Sequence, residues 1–89
     1  MKQSFAWWAF SMALAPEDQP GLLAQAAAAG MAGVEMLPPE LRAAAADAGL
    51  VEVTTIGHDI EVGFNDPANH AMLHDRVGAA IADAAEHDV

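Results

Sequence analysis

The sequence predicts an α/β fold of parallel strands joined by helical crossovers, and two observations carry that prediction. Strand patterns at residues 4–10, 33–37 and 51–56 alternate with helix patterns at residues 21–29, 40–48 and 67–86. The larger apolar side chains gather in the strand segments, while alanine dominates the helical ones. Strict alternation of this kind implies parallel strands with right-handed crossovers. Three units close no barrel and make no comfortable open sheet, so the expected architecture is an incomplete one.

The first strand rests on Ser4-Phe5-Ala6-Trp7-Trp8-Ala9-Phe10, a run dense in aromatics that suit a pleated, buried surface. Period two puts Phe5, Trp7 and Ala9 on one face and Ala6, Trp8 and Phe10 on the other. Pro16-Glu17-Asp18-Gln19-Pro20-Gly21 is a turn-rich connector whose acids complement the positive end of the next helix dipole. Leu22, Leu23 and Ala26 form that helix's inner stripe. Gly30 fits the position after its last turn, where φ turns positive. Gly33-Val34-Glu35-Met36-Leu37 reads as the second strand, ended by Pro38-Pro39, and Pro39 or Glu40 opens the second helix. Leu41, Ala44, Ala45 and Ala48 face inward there, and Gly49 repeats the glycine stop.

In the third strand Val51, Val53 and Thr55 alternate with Glu52, Thr54 and Ile56. The connection at residues 57–65 is longer than the usual two to six residues of a βα loop, a length that often marks function. Asp66-Pro67 reads as a helix N-cap with proline in the first helical position. Leu73, Val77, Ile81 and Ala84 give the third helix its apolar stripe. Asp88-Val89 offers no glycine stop, and the expectation is an N-terminal fragment of one larger domain, broken off where a fourth strand is due.

Length and charge narrow the function classes. The 89 residues suffice for one small domain. A complete (β/α)8 barrel needs roughly 250 residues, so this chain supplies about three-eighths of one. Strands buried on both faces need helices on one side and barrel partners on the other. Net charge is −10, with Lys2, Arg42 and Arg76 the only basic residues. Three scattered cations build no phosphate-binding face, which argues against nucleic acid and anionic membranes as partners. There is no cysteine, so thiol catalysis and zinc–thiolate sites are excluded. No apolar run reaches the ~18–20 residues of a membrane span.

Lys2, the apolar stretch at residues 5–10 and Ala13-Leu14-Ala15 also outline a short signal peptide. The lone lysine, the short aromatic core and Pro16 count against it, and the reading adopted is the first strand of a cytoplasmic domain.

Ala29-Gly30-Met31-Ala32-Gly33-Val34-Glu35 resembles the helix–Gly–strand signature, with Gly-Val-Glu in the strand, of the xylose-isomerase-like TIM barrels. Ile56-Gly57-His58 followed by Gly63-Phe64-Asn65-Asp66-Pro67-Ala68-Asn69-His70 is more particular. It resembles the third-strand loop of the hydroxypyruvate-isomerase-like members, where a Gly-Leu-Asn-x-Pro-x-Asn-His run opens the third helix. The resemblance covers essentially the whole chain. It implies the first three βα units of a (β/α)8 TIM barrel, from a sugar isomerase or epimerase that moves a proton between adjacent carbons of a small hydroxy-carbonyl or sugar-like substrate. Two glutamates and a divalent metal do this in the family, all held by later strands. The chain alone is therefore expected to hold no cofactor and no catalytic residue, and to be inactive.

Barrel active sites gather at the C-terminal ends of the strands, which leaves Trp8, Glu35 and His58 as candidate substrate-binding residues. Glu35 is a rim carboxylate that orients substrate, or one satisfied by hydrogen bonds to a neighbouring strand. His58 bonds a substrate hydroxyl or a metal, as a histidine at a similar place does in the endonuclease branch of the superfamily, or it bonds backbone. Trp7 and Trp8 offer an indole to core packing or to a wall over a small polar substrate. His70 and His74 share a helix face at the spacing of a metal pair, without the glutamate of a zinc hydrolase. His70 reads instead as a loop anchor, and Asn65 and Asp66 as turn and cap residues. A second class of function also fits: an acidic, non-catalytic interaction module whose open sheet edges are completed by self-association or a partner chain.

Overall fold

The computed structural model describes Met1–Val89 in two compact units, Met1–Thr54 and Thr55–Val89. In the first unit β1 (Ser4–Ala6), β2 (Gly33–Glu35) and β3 (Val51–Thr54) form one parallel sheet in the order β1-β2-β3. The α/β class and the parallel sheet are as the sequence predicts. Ser4, Phe5 and Ala6 pair with Gly33, Val34 and Glu35. Gly33, Val34 and Glu35 pair in turn with Val51, Glu52 and Thr54, and the register skips Val53 as an extra residue.

The aromatic run is not one strand. Pairing stops at Ala6, and α1 (Trp7–Ser11) follows at once. Helical spacing places Trp7 and Ser11 on one buried face, whereas Trp8 and Phe10 point outward, 55% and 58% exposed. Burying one indole and Ser11 four residues on needs a helix, and that packing overrides the strand propensity of the aromatics.

Two helices span the crossovers. α2 (Gln19–Ala28) follows a 3-10 turn at Pro16–Asp18, and α3 (Arg42–Asp47) follows another at Pro39–Leu41. Both end as their glycines predict. Gly30 takes φ +95° and Gly49 φ +81°. Gly30 N–H bonds Ala27 and Met31 N–H bonds Ala26; Gly49 and Leu50 repeat the arrangement on Ala46 and Ala45. These are Schellman closures, which need a left-handed residue after the helix.

Phe5, Trp7, Leu23, Val34, Leu37, Ala45 and Leu50 make the core, with Leu22, Ala26, Ala44 and Ala48 packed against it. Leu23 of α2 and Ala45 of α3 meet the same sheet face, the one carrying Phe5 and Val34. The opposite face is uncovered in this structure: Val51 is 61% and Val53 47% exposed. The expectation of strands buried on both faces thus holds on the helix side only. Glu52, between the two valines, turns toward the helices. Its carboxylate meets Arg42 Nε at 2.6 Å, with both side chains largely buried.

The second unit holds the long loop, a 3-10 turn at Pro67–Asn69 and α4 (His70–Glu86). Asp66 caps the turn as predicted, its carboxylate accepting from Ala68 N–H at 2.9 Å, with Pro67 in the first position. Leu73 is fully buried and Val77 partly so, but Ile81, assigned to the same stripe, is exposed. The end of α4 is closed after all. Asp88 takes φ +58° and Val89 N–H bonds Ala84, so an aspartate does there what glycine does in α2 and α3. No helix is long and apolar enough to cross a membrane.

Candidate functional site

Parallel pairing sets the C-terminal ends of β1, β2 and β3 along one rim of the sheet. Glu35 is the last residue of β2, between Ala6 and Thr54 in register. It shares the uncovered face with Ser4 and Gly33, because alternation returns every second residue to one side. Ser4 Oγ donates to Glu35 Oε1. The carboxylate is therefore tied to β1 through one oxygen and is only partly buried. That fulfils the cross-strand alternative and leaves the second oxygen as an acceptor.

Beyond Glu35 the chain turns sharply. Met36 takes φ +55°, and its N–H bonds Thr54 C=O at 2.9 Å. A methionine in the left-handed region is uncommon and costs of the order of 1 kcal/mol. The hydrogen bond to β3 holds it there and fixes the point at which the rim residues leave the sheet.

Trp8 does not take the place that period-two alternation assigns it. It sits on α1, directly after β1, with its indole largely in solvent, while Trp7 is the indole in the core. Trp8 thus lies next to the strand end but has no inner sheet face to line.

His58 belongs to the second unit. Its Nδ1 lies 2.8 Å from Asp59 C=O. A carbonyl only accepts, so Nδ1 carries the proton and Nε2 is the open acceptor of the neutral ring. Asp59 also pairs with Arg76 at 3.2 Å, a contact on the surface. The loop then folds over Phe64. His58, His70 and His74 surround that ring at centroid distances of 5.7, 5.7 and 5.4 Å. His70 Nε2 donates to Phe64 C=O at 2.6 Å, which anchors the loop to the start of α4.

That arrangement decides how the donors here stand toward a divalent metal. Three imidazoles lie near one another, yet a phenyl ring occupies the centre they share, and His70 commits Nε2 to a carbonyl. No three histidine, aspartate or glutamate side chains converge to hold an ion. These residues do not fit a metal centre as arranged.

Three participants escape the sequence. Ser4 is a plain strand residue until its register with Gly33 brings it beside Glu35. Glu52 sits in an alternation whose valines look like the inward residues, and only the Arg42 partner ten positions earlier marks it as the buried one. Phe64 is legible as a loop aromatic, but not as the hub of three histidines. An open hollow of about 520 Å³ lies over the uncovered face, lined by Lys2, Ser4, Gly33, Val51 and Val53, toward the start of the strands and away from the Glu35 rim. Compared with known protein families, curated proteins and solved structures, the chain matches none.

Proposed function

We propose that these residues are the first three βα units of a (β/α)8 barrel of the xylose-isomerase-like superfamily. The whole barrel, in this reading, is a cytoplasmic metal-dependent isomerase or epimerase acting on a small sugar-like or hydroxy-keto acid substrate, nearest to the hydroxypyruvate-isomerase-like members. The observation that carries the reading is the winding of the sheet. Its strands run in consecutive order, all parallel, with α2 and α3 on one face and bare valines on the other. One half of a doubly wound sheet has the same winding, so the winding supports the barrel only together with the resemblance of the loop that opens the last helix. Val51 and Val53 are then interior residues awaiting opposite strands. The run at residues 63–70 supports the subgroup.

Two candidates, one in each unit, have a part in that reading of the whole barrel. Glu35, steadied by Ser4, accepts a hydrogen bond from a substrate hydroxyl through its free oxygen. In the second unit His58, bonded through Nδ1 to Asp59 C=O, offers Nε2 as an acceptor. Trp8, on α1 with its indole largely in solvent, takes no part in that reading. The acid–base glutamates and the metal ligands come from other strands of the barrel, so the 89-residue chain turns over nothing by itself.

The test is to read the coding sequence beyond the Val89 codon. A frame continuing into strand–helix units with glutamate, aspartate and histidine at the strand ends supports the reading; a stop codon in clean sequence overturns it. Metal-dependent conversion of hydroxypyruvate by the purified chain would sink the claim that it is inactive alone.

One observation favours a second reading. β1 and β3 each have a strand neighbour on one side only, and unpaired edges recruit strands. An acidic, non-catalytic module completed by another copy or another chain would use them. Size-exclusion chromatography separates the two, since a module gives a defined oligomer and a barrel fragment gives heterogeneous aggregate or a disordered chain.

A further inference from the structure

His58 is flanked on both sides by residues that α4 holds. Before it, a Cβ at Gly57 would lie 3.6 Å from Val77 Cγ2, which places the helix against the backbone there. After it, Arg76 reaches the Asp59 carboxylate at 3.2 Å. That pair is exposed and holds the loop only weakly. The third hold joins a hydrogen bond to ring packing. His70, in the first turn of α4, donates from Nε2 to Phe64 C=O at 2.6 Å, and its ring lies 5.7 Å from the phenyl. His74 meets the same phenyl in a T-shaped contact at 5.4 Å, and the phenyl makes another with His58 at 5.7 Å. Phe64 is thus gripped by two residues of the helix and lies against the imidazole that the loop carries. The acceptor of His58 is fixed as well, because Asp59 C=O also takes Val62 N–H at 3.3 Å and closes a turn.

We propose that His70 and Phe64 are positioning residues for His58, holding its ring in the Nδ1–H tautomer so that Nε2 is the standing acceptor. A neutral imidazole carries its proton on either nitrogen, and the partner of one nitrogen decides the state of the other. Asp59 C=O belongs to the very next residue, so it meets Nδ1 only while the imidazole keeps one orientation. Phe64 packs against that ring, and His70 pins Phe64 by its carbonyl. The loop at residues 57–65 is thereby ordered before a ligand arrives, which removes an ordering cost from binding. His70 itself takes the opposite tautomer, because its carbonyl partner lies at Nε2. The use of His58 on a substrate hydroxyl rests on the barrel reading, whereas its tautomer and the dependence on Phe64 and His70 do not.

The test is a long-range proton–nitrogen NMR spectrum of the imidazoles in the isotopically labelled 89-residue chain, in alkaline buffer so that the rings are neutral. His58 should show the Nδ1–H form in about tenfold excess, the population that one net hydrogen bond sustains, and His70 the Nε2–H form. His70→Leu should bring His58 to about equal populations of the two forms. His70→Gln, whose amide nitrogen donates in place of Nε2, should restore most of the excess. Phe64→Leu lies outside α4 and keeps the backbone carbonyl, so it tests the ring even where His70→Leu frays the helix. It should cut the excess about threefold or more, with the circular dichroism spectrum unchanged. Arg76→Leu should change it less than either. A mixed or Nε2–H His58 in the unsubstituted chain, an excess that survives Phe64→Leu or His70→Leu, no recovery with His70→Gln, or a greater loss with Arg76→Leu would each overturn the proposal. Failure of the barrel reading shows elsewhere, as a stop codon after Val89, and leaves these spectra as predicted.

Discussion

Gly33 is the tightest point in the sheet. A Cβ there would lie 2.6 Å from Val53 Cγ2, 3.1 Å from the Val51 carbonyl oxygen and 3.3 Å from Ser4 Cβ. Valine has one χ angle to yield with, and the carbonyl belongs to the ladder itself. Gly33→Ala should therefore destabilise the chain by about 1–3 kcal/mol, seen as a lower urea midpoint. Arg42 and Glu52 present a different balance. The Glu52 side chain is 8% exposed and the Arg42 side chain 14%. Removing Arg42 strands a carboxylate under the helices, so Arg42→Ala should cost about 3–5 kcal/mol. Replacing both, by Arg42→Met with Glu52→Leu, should recover most of that loss, because the pair's attraction largely offsets its own desolvation. A double mutant as unstable as Arg42→Ala would show that the pair is worth more than an apolar substitute.

At the scale of elements, the ends of helices are where this sequence speaks most plainly. Gly30, Gly49 and Asp66 each do what their local chemistry dictates, since a left-handed closure and an N-cap need only a few neighbouring residues. Asp66→Ala removes the acceptor for Ala68 N–H and should lower stability by about 1 kcal/mol, with the loss centred on α4 in hydrogen exchange. Asp88→Gly should raise stability by up to about 1 kcal/mol, because glycine takes positive φ without strain. The elements themselves are less legible. Phe5, Trp7 and Trp8 all favour a strand by propensity, yet only Phe5 lies in one. The burial of Trp7 with Ser11 is a tertiary fact that no local window contains. The same holds for the candidate site: Glu35 at the end of β2 is readable from its position, while its tie to Ser4 depends on a register set 31 residues away. Trp8 is mislaid for the reason that α1 was, and the open face of β3 is missed because Val51-Glu52-Val53 reads equally well with the glutamate outward.

The charge of the whole molecule sets its response to salt. Thirteen acids face three cations, and of those Arg42 and Arg76 are bound to Glu52 and Asp59. Folding concentrates that repulsion, and a Debye length near 10 Å at 0.1 M salt screens it. The urea midpoint should rise between 10 mM and 0.5 M sodium chloride. A fall would mean that the ion pairs outweigh the excess of acid. The core of the first unit has a consequence of its own. Phe5, Trp7, Leu23, Val34, Leu37 and Leu50 are its large buried members, and five alanines with Leu22, Met31 and Leu41 complete it. Unfolding such an interior exposes little hydrocarbon to water, so the heat-capacity increment should fall below the ~12–15 cal/mol/K per residue of ordinary domains. The stability curve is then shallow. Calorimetry should record a broad endotherm of about 60 kcal/mol or less, in a molecule that loosens gradually with warming and keeps much of its order in the cold.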